Sequence, residues 1–294
     1  MQHTIKNCLL VTKPGIVLGN LIPASAGFFL ASKGHINVPL LLSTLTGISL
    51  VVASACVLNN CIDRNMDRKM ARTRNRVMAR GLISLKAAVS YAVLLGMAGI
   101  WLLLRATQPL CVAVVLSGFL IYVGVYSLHL KRRSVHATLV GSLAGVAPPL
   151  AGYCAVTGRL DTGALLLFLI FSLWQMPHCY AIAIFRRHDY AAARFPVVPV
   201  TQGIPAAKRH IVGYAAAFVA ATLMLTFVGY TGYGYLAVAV VLGLVWLYMV
   251  WSGFRTGDDN RWARQLFAFS FMSMLVLSVM MSIDYTLPLD AALK

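Results

Sequence analysis

An all-α bundle crossing a membrane nine times is the fold this sequence predicts, and three observations predict it. The 294 residues have a mean hydropathy of +0.79, and only 11% of them are charged. Their charges collect in short clusters separated by apolar runs of about twenty residues, the length that crosses a hydrocarbon core. An ordinary soluble chain carries roughly twice that share of charge. The intervals left over are too short for a sizeable soluble domain, so residues 1–294 read as one transmembrane domain. The formal charge of +17 would suit a nucleic-acid binder. Here it sits in loops between spans, where it marks topology instead.

Taken in order, the spans fall at about 14–32, 38–58, 85–104, 109–128, 138–157, 162–185, 211–230, 233–251 and 265–283. Pro23 is expected to interrupt the first and Pro148 with Pro149 the fifth, breaks that a bundle tolerates when neighbours satisfy the freed backbone. Gly15, Gly19, Gly27, Gly141 and Gly145 suit close helix packing. The opening residues, MQHTIKNCLLVTKPG, carry basic groups but no convincing small-residue cleavage site, and are expected to lead uncleaved into the first helix. Cys8, Cys56, Cys61, Cys111, Cys154 and Cys179 form no CxxC pair and read as small buried hydrophobes. With nine crossings, all of the 25 Lys and Arg except Lys33, Arg105, Arg159 and Lys294 fall on one side. That bias places the N-terminus in the cytoplasm and the C-terminus outside. The richer inner loops recur after every second helix, consistent with a weak internal repeat.

The stretch 59–81, NNCIDRNMDRKMARTRNRVMARG, concentrates the chemistry. On a helix continuing from the second span, Asn59, Asp63 and Asp67 at i, i+4 and i+8 form one polar stripe. Amide and carboxylate oxygens suit Mg2+, which is usually held through a few carboxylates and the phosphates of a substrate. Arg72 and Arg76 just downstream present rigid forks of donors to phosphate oxygens. A bland reading stands beside this one: basic residues flank membrane helices on the inner side, and two aspartates among them can be paired surface charges.

A second cluster, Tyr126 to His136, places Lys131, Arg132 and Arg133 below Tyr126 and His129, either as an anion site or as topology and interface anchors. The third runs from Trp174 to Pro199. Gln175 and His178 lie three apart on one face of an apolar helix, where polar groups must meet a cavity or partners. His178 is thus either a satisfied structural histidine or a contact for substrate or cofactor. Arg186, Asp189 and Tyr190 follow at the inner surface, Asp189 as a second metal ligand or as the partner of an arginine. Asp258, Asp259, Arg261 and Arg264 read as a solvated loop. Carboxylates and arginines capping an oily bundle suit a molecule with an anionic, metal-binding head and a long apolar tail.

These clusters resemble the intramembrane prenyltransferases of the UbiA superfamily, and more narrowly its haem-farnesylating branch, over nearly the whole chain. The general likeness lies in Asn59, Asp63 and Asp67 followed by Arg72, Thr73 and Arg76. The narrower one lies in YSLHLKRRS at 126–134, GVAPPLAG at 145–152, WQMPHCYAIAIFRRHDY at 174–190 and PVVPV at 196–200. Quinone and chlorophyll prenyltransferases show a second carboxylate-rich motif where this chain has Gln175, His178 and Asp189.

The resemblance implies a UbiA-like bundle in a bacterial cytoplasmic membrane that moves farnesyl from farnesyl diphosphate to a vinyl group of haem B, with haem as substrate and Mg2+ as cofactor. It implies Asn59, Asp63 and Asp67 as metal ligands and Asn59, Arg72, Arg76, Lys131 and Arg132 at the diphosphate. Asp63, Asp67, Arg72 and Lys131 would be the catalytic set, Gln175 and His178 the haem contacts, and Tyr126, Arg186, Asp189 and Tyr190 a second polar cluster. Membrane lipid and haem-delivery or terminal-oxidase assembly proteins are the implied partners, and nucleic acid is not among them. Two positions depart from the family pattern. Val77 follows Arg76 where proline is common, and after Arg133, where many members have threonine and a nearby asparagine, this chain has Ser134 and then His136, Ala137 and Thr138. An aromatic quinone precursor as acceptor, and a transporter or lipid-binding protein, are the competing readings.

Overall fold

Every predicted span is a helix in the computed structural model, which describes residues 2–286. Lys294, one of the basic residues expected outside, lies beyond the described residues. A short helix α1 (Gln2–Val11) precedes α2 (Pro14–Ser32), α3 (Val38–Asp67), α4 (Leu85–Ala106) and α5 (Pro109–Leu120). α5 runs on as a π-helix, Ile121–Leu130, to complete the fourth span. The fifth is split into α6 (Ala137–Gly145) and α7 (Ala147–Thr157), and the sixth is α8 (Thr162–Phe185). Two short helices, α9 (Arg187–Ala192) and α10 (Val198–Thr201), lead to α11 (Ile204–Phe227), α12 (Tyr233–Ser252) and α13 (Asp259–Ile283).

Local chemistry sets the boundaries. Asn37, Ser84 and Asp161 accept backbone N–H bonds at the starts of α3, α4 and α8, and proline stands in the first positions of α2, α3, α5, α7 and α11, where its missing N–H costs nothing. Several expectations are corrected. Pro23 lies inside an unbroken α2, buried, so one lost backbone bond is absorbed without a break. Pro148 and Pro149 do divide their span, because they open a new helix after Val146. α11 starts at Ile204, after Gly203 at positive φ, and so includes Lys208, which was expected in the loop before 211. α13 starts at Asp259, because Asp258 caps it by accepting from the backbone N–H of Asn260 and Arg261. Asp259 pairs with the buried Lys208, whose ammonium also donates to the Gly253 carbonyl at 2.6 Å. Asp259 is thus tied into the bundle, while Asp258 caps the helix from the exposed loop.

The largest apolar core joins α8, α11, α12 and α13 around Trp246, Tyr235 and Ile211; the next joins α2, α3, α4, α5 and α7 around Phe28, Ile48 and Leu103. α2 and α7 cross at backbone contact. A Cβ on Gly27 would lie 2.1 Å from the Pro149 carbonyl oxygen, and one on Gly152 would lie 2.0 Å from that of Ala24. Between membrane helices such small residues permit the approach on which dispersion and packing depend. Gly152→Ala is therefore expected to destabilise the bundle by about 1–3 kcal/mol, the usual cost of overpacking. Gly213→Ala meets nothing within 4 Å and leaves stability unchanged or slightly raised. Melting curves of the two variants in detergent check this; equal melting temperatures would contradict the tight crossing.

Candidate active site

α3 runs about two and a half turns beyond residue 58, where its span was expected to end, and it carries Asn59, Asp63 and Asp67 on one face of a continuous helix. All three are buried, at 2%, 1% and 1% exposure, so the two aspartates are not solvated surface charges. Each is bound by cations from elsewhere in the chain. Lys131 pairs closely with Asp63, and Arg132 reaches the other oxygen of the same carboxylate at 3.5 Å. Arg76 holds both oxygens of Asp67 at 3.0 Å through one nitrogen. Lys13 donates to Asn59 Oδ1 at 2.6 Å, and the Asn59 amide donates to Asp63 and to Ser127, each at 3.1 Å. A buried carboxylate without its partner would cost several kcal/mol, so these cations and acids fold as a unit.

The elements that deliver the cations explain the local fold. Lys13 sits between α1 and α2 with a left-handed φ of 54°, which costs an L-residue about 1–2 kcal/mol. Asn60 donates to the Val11 carbonyl at 2.7 Å and pins that junction against α3. Burial first, and the nearby Arg76 charge second, push the Lys13 ammonium from 10.5 down to about 8. An arriving anion would reverse that. Arg76 comes from the loop after α3, whose Thr73 hydroxyl donates to the Asp67 carbonyl at 3.0 Å. Lys131 follows the π-helix, its backbone N–H bonded to the Tyr126 carbonyl five residues back. Its ammonium lies 5.6 Å from the Tyr126 ring centre and 5.2 Å from that of Phe195, a cation–π cradle.

Beside this cluster lie two adjoining cavities. The first, about 140 Å³, is lined by Tyr126, Lys131, Tyr190 and Phe195. The second, about 390 Å³ and largely apolar, reaches between α2, α3, α5, α7 and α8 to Ile48, Val115 and His178. Tyr122, Gln175 and Cys179 line both. Gln175 stands against the break between α6 and α7, where a Cβ on Gly145 would overlap its amide at 1.9 Å.

The remaining expected site residues are placed as follows. Tyr126 and Tyr190 reach the first cavity and His178 the second. Arg72 is exposed on the loop after α3, with no side-chain ion pair among the described residues. Asp189 forms no ion pair with an arginine among the described residues. It accepts the Ala71 backbone N–H at 3.1 Å and ties the α3 loop to α9. Arg186 turns to the Phe185 ring at 5.4 Å, outside the cavity walls. His129 is exposed. Lys13, Ser127 and Phe195 belong to the site and were not anticipated. Only Lys13 had a signal in the sequence, as a cation beside the Pro14–Gly15 helix start.

Comparison with known proteins agrees with this arrangement. The UbiA prenyltransferase family model matches residues 20–275. "Protoheme IX farnesyltransferase 2" of Pseudomonas fluorescens is 56% identical over 99% of this chain and 98% of its own. "Protoheme IX farnesyltransferase" of Photorhabdus laumondii is 59% identical over 98% of each. Among solved structures, a digeranylgeranylglyceryl phosphate synthase superposes with a TM-score of 0.79 over 95% of this chain and 99% of its own at 15% identity. A UbiA homologue from Archaeoglobus fulgidus, bound to DMAPP and Mg2+, superposes with a TM-score of 0.73 over 92% and 99% at 16% identity. With nine candidate spans among its described residues, its acidic helix end and relatives alike over almost their whole length, the chain belongs to the UbiA prenyltransferase family.

Proposed function

We propose that this chain transfers the farnesyl group of farnesyl diphosphate to a vinyl group of haem B, giving haem O. The observation that carries the reading is the pair of adjoining cavities, one with Lys131 beside the Asp63 carboxylate, the other apolar and faced by His178. The names of the near relatives point to the same reaction. The donor set on α3 fits Mg2+: two carboxylates and an amide oxygen on one face, with phosphate oxygens and water to complete the shell. Among the described residues no group of three or more His, Cys, Asp or Glu gathers to hold a metal without a substrate's help.

Lys131, Arg132 and Arg76 neutralise the carboxylates in the free protein, and Lys13 holds the Asn59 amide beside them. When the diphosphate arrives they turn to its oxygens, and the carboxylates are released to the metal. Bound Mg2+ supplies further charge neutralisation for the departing diphosphate. Lys131 and Arg76 then oppose the charge that develops as the carbon–oxygen bond breaks. The allylic cation is left among the faces of Tyr122, Tyr126 and Phe119, with little water to intercept it. The vinyl carbon of haem attacks it, and water captures the new cation beside the porphyrin, losing a proton to leave the hydroxyethylfarnesyl group. The positive-inside rule puts this end of the bundle in the cytoplasm and the C-terminus outside. Haem-delivery and terminal-oxidase assembly proteins would meet the chain at its basic face.

Purified chain supplied with farnesyl diphosphate, Mg2+ and haem B is expected to yield haem O by mass. Product from a phenolic quinone precursor and never from haem would transfer the reading to that acceptor, and movement of lipid across liposomes with no diphosphate release would make the chain a transporter. Lys131→Met is expected to lower kcat by about 10²–10³-fold, the usual cost of losing one preorganised donor, with little change in KM for haem. Asp63→Asn and Asp67→Asn are expected to raise the Mg2+ concentration needed for half-maximal rate and to suppress turnover at ordinary Mg2+. A metal titration of the initial rate checks both, and an unchanged titration curve would remove α3 from the metal site.

A further inference from the structure

The imidazole of His178 is held on three sides by groups to which the transfer chemistry assigns no part. The Trp174 ring stacks on it with centroids 4.7 Å apart, and the Phe267 ring lies 4.6 Å away. Its Nδ1 is 2.8 Å from the Ser270 hydroxyl on α13. Trp174 Nε1 donates to the backbone carbonyl of the same Ser270 at 2.8 Å, so α8 and α13 are joined twice at one residue.

The direction of the His178–Ser270 bond can be worked out. Ser270 Oγ, wholly buried, lies 2.7 Å from the Phe267 carbonyl oxygen. A hydroxyl has one proton and two lone pairs. Without that proton between them, two oxygens at this distance would repel, so the proton goes to Phe267. Ser270 then has only lone pairs to offer His178. Nδ1 must carry the imidazole proton, and Nε2 must carry the free pair. Nε2 has no hydrogen-bond partner among the described residues, and His178 lines the larger cavity with Gln175 and Cys179.

We propose that Ser270 is a positioning residue: it holds His178 in the Nδ1–H tautomer so that Nε2 ligates the iron of the haem acceptor. The inference rests on the haem reading above and assigns Ser270 the role that outer partners of metal-binding histidines play, fixing ring orientation and raising ligand basicity. Loss of such a partner typically weakens metal binding about 10–100-fold.

The test uses Ser270→Ala and Ser270→Thr in full-length protein in lipid bilayers, with melting curves to show that each folds. Solid-state 15N spectra of histidine-labelled protein, with the His178→Gln spectrum subtracted, report the tautomer without haem. The wild type and Ser270→Thr are expected to show a protonated Nδ1 and a bare Nε2, and Ser270→Ala a mixture. Haem affinity, followed by the absorbance of the porphyrin, should fall about 10–100-fold in Ser270→Ala and recover in Ser270→Thr. Affinity for metal-free protoporphyrin IX should not move, because a ligand effect needs the iron. A wild-type His178 protonated on Nε2 would overturn the proposal. So would an Ala variant that weakens both porphyrins equally, which is a packing effect, or neither. Should the wild type bind no porphyrin, the functional reading falls and takes the iron ligation with it, while the 15N result still decides the tautomer.

Discussion

Two buried carboxylates at the end of an apolar helix impose the central constraint on this molecule. Asp63 and Asp67 are desolvated almost completely, and the fold gathers cations from three distant segments to meet them or the amide beside them. The α1–α2 junction brings Lys13, the loop after α3 brings Arg76, and the end of the fourth span brings Lys131 and Arg132. Replacing such an assembly by apolar side chains would often be neutral or stabilising. Its retention in an otherwise oily bundle is therefore better understood through what it binds than through stability. Because Lys13, Arg76, Lys131 and Arg132 outnumber the two acids they surround, the cluster stays folded and keeps an excess of positive charge, the sign that suits an incoming anion.

Much of this was legible in the sequence, for identifiable reasons. Hydropathy located all nine spans because length and apolar content are local properties. The stripe of Asn59, Asp63 and Asp67 was legible because helical period links positions four apart. The ends of α11 and α13 were misplaced because polar residues were taken for loop: Lys208 is buried through a partner 51 positions away, and Asp258 serves as a cap. Lys13, Ser127 and Ser270 were missed because each meets its partner across 46 to 92 residues of chain. No local pattern encodes such a meeting. That Asp189 accepts the Ala71 backbone N–H, 118 positions away, is likewise visible only in the fold.

The two cavities divide the labour of the site by chemistry. Near the acidic end the walls are aromatic and cationic, suited to charge that appears and then departs. Deeper in, the walls are largely apolar down to Ile48 and Val115, with Asn20, Tyr122, Gln175 and His178 as their polar groups. The solid packing of Phe28, Leu103 and Val112 lies behind that floor. Gln175 stands where the cavities meet, against a glycine that leaves its amide just enough room. Neither chamber is a by-product of loose packing, since each wall is drawn from helices that elsewhere touch at backbone distance.

The π-helix before Lys131 has a bearing on how this protein can change over evolutionary time. Its i→i+5 ladder takes up residues that an α-ladder would have to expel. A lineage that lost one residue between Ile121 and Leu130 would regain tighter pairing and rotate all that follows by about 100°. The lysine would survive in any alignment, yet its ammonium would face another direction. An insertion or deletion in that span would thus endanger this site more than a substitution that kept the register.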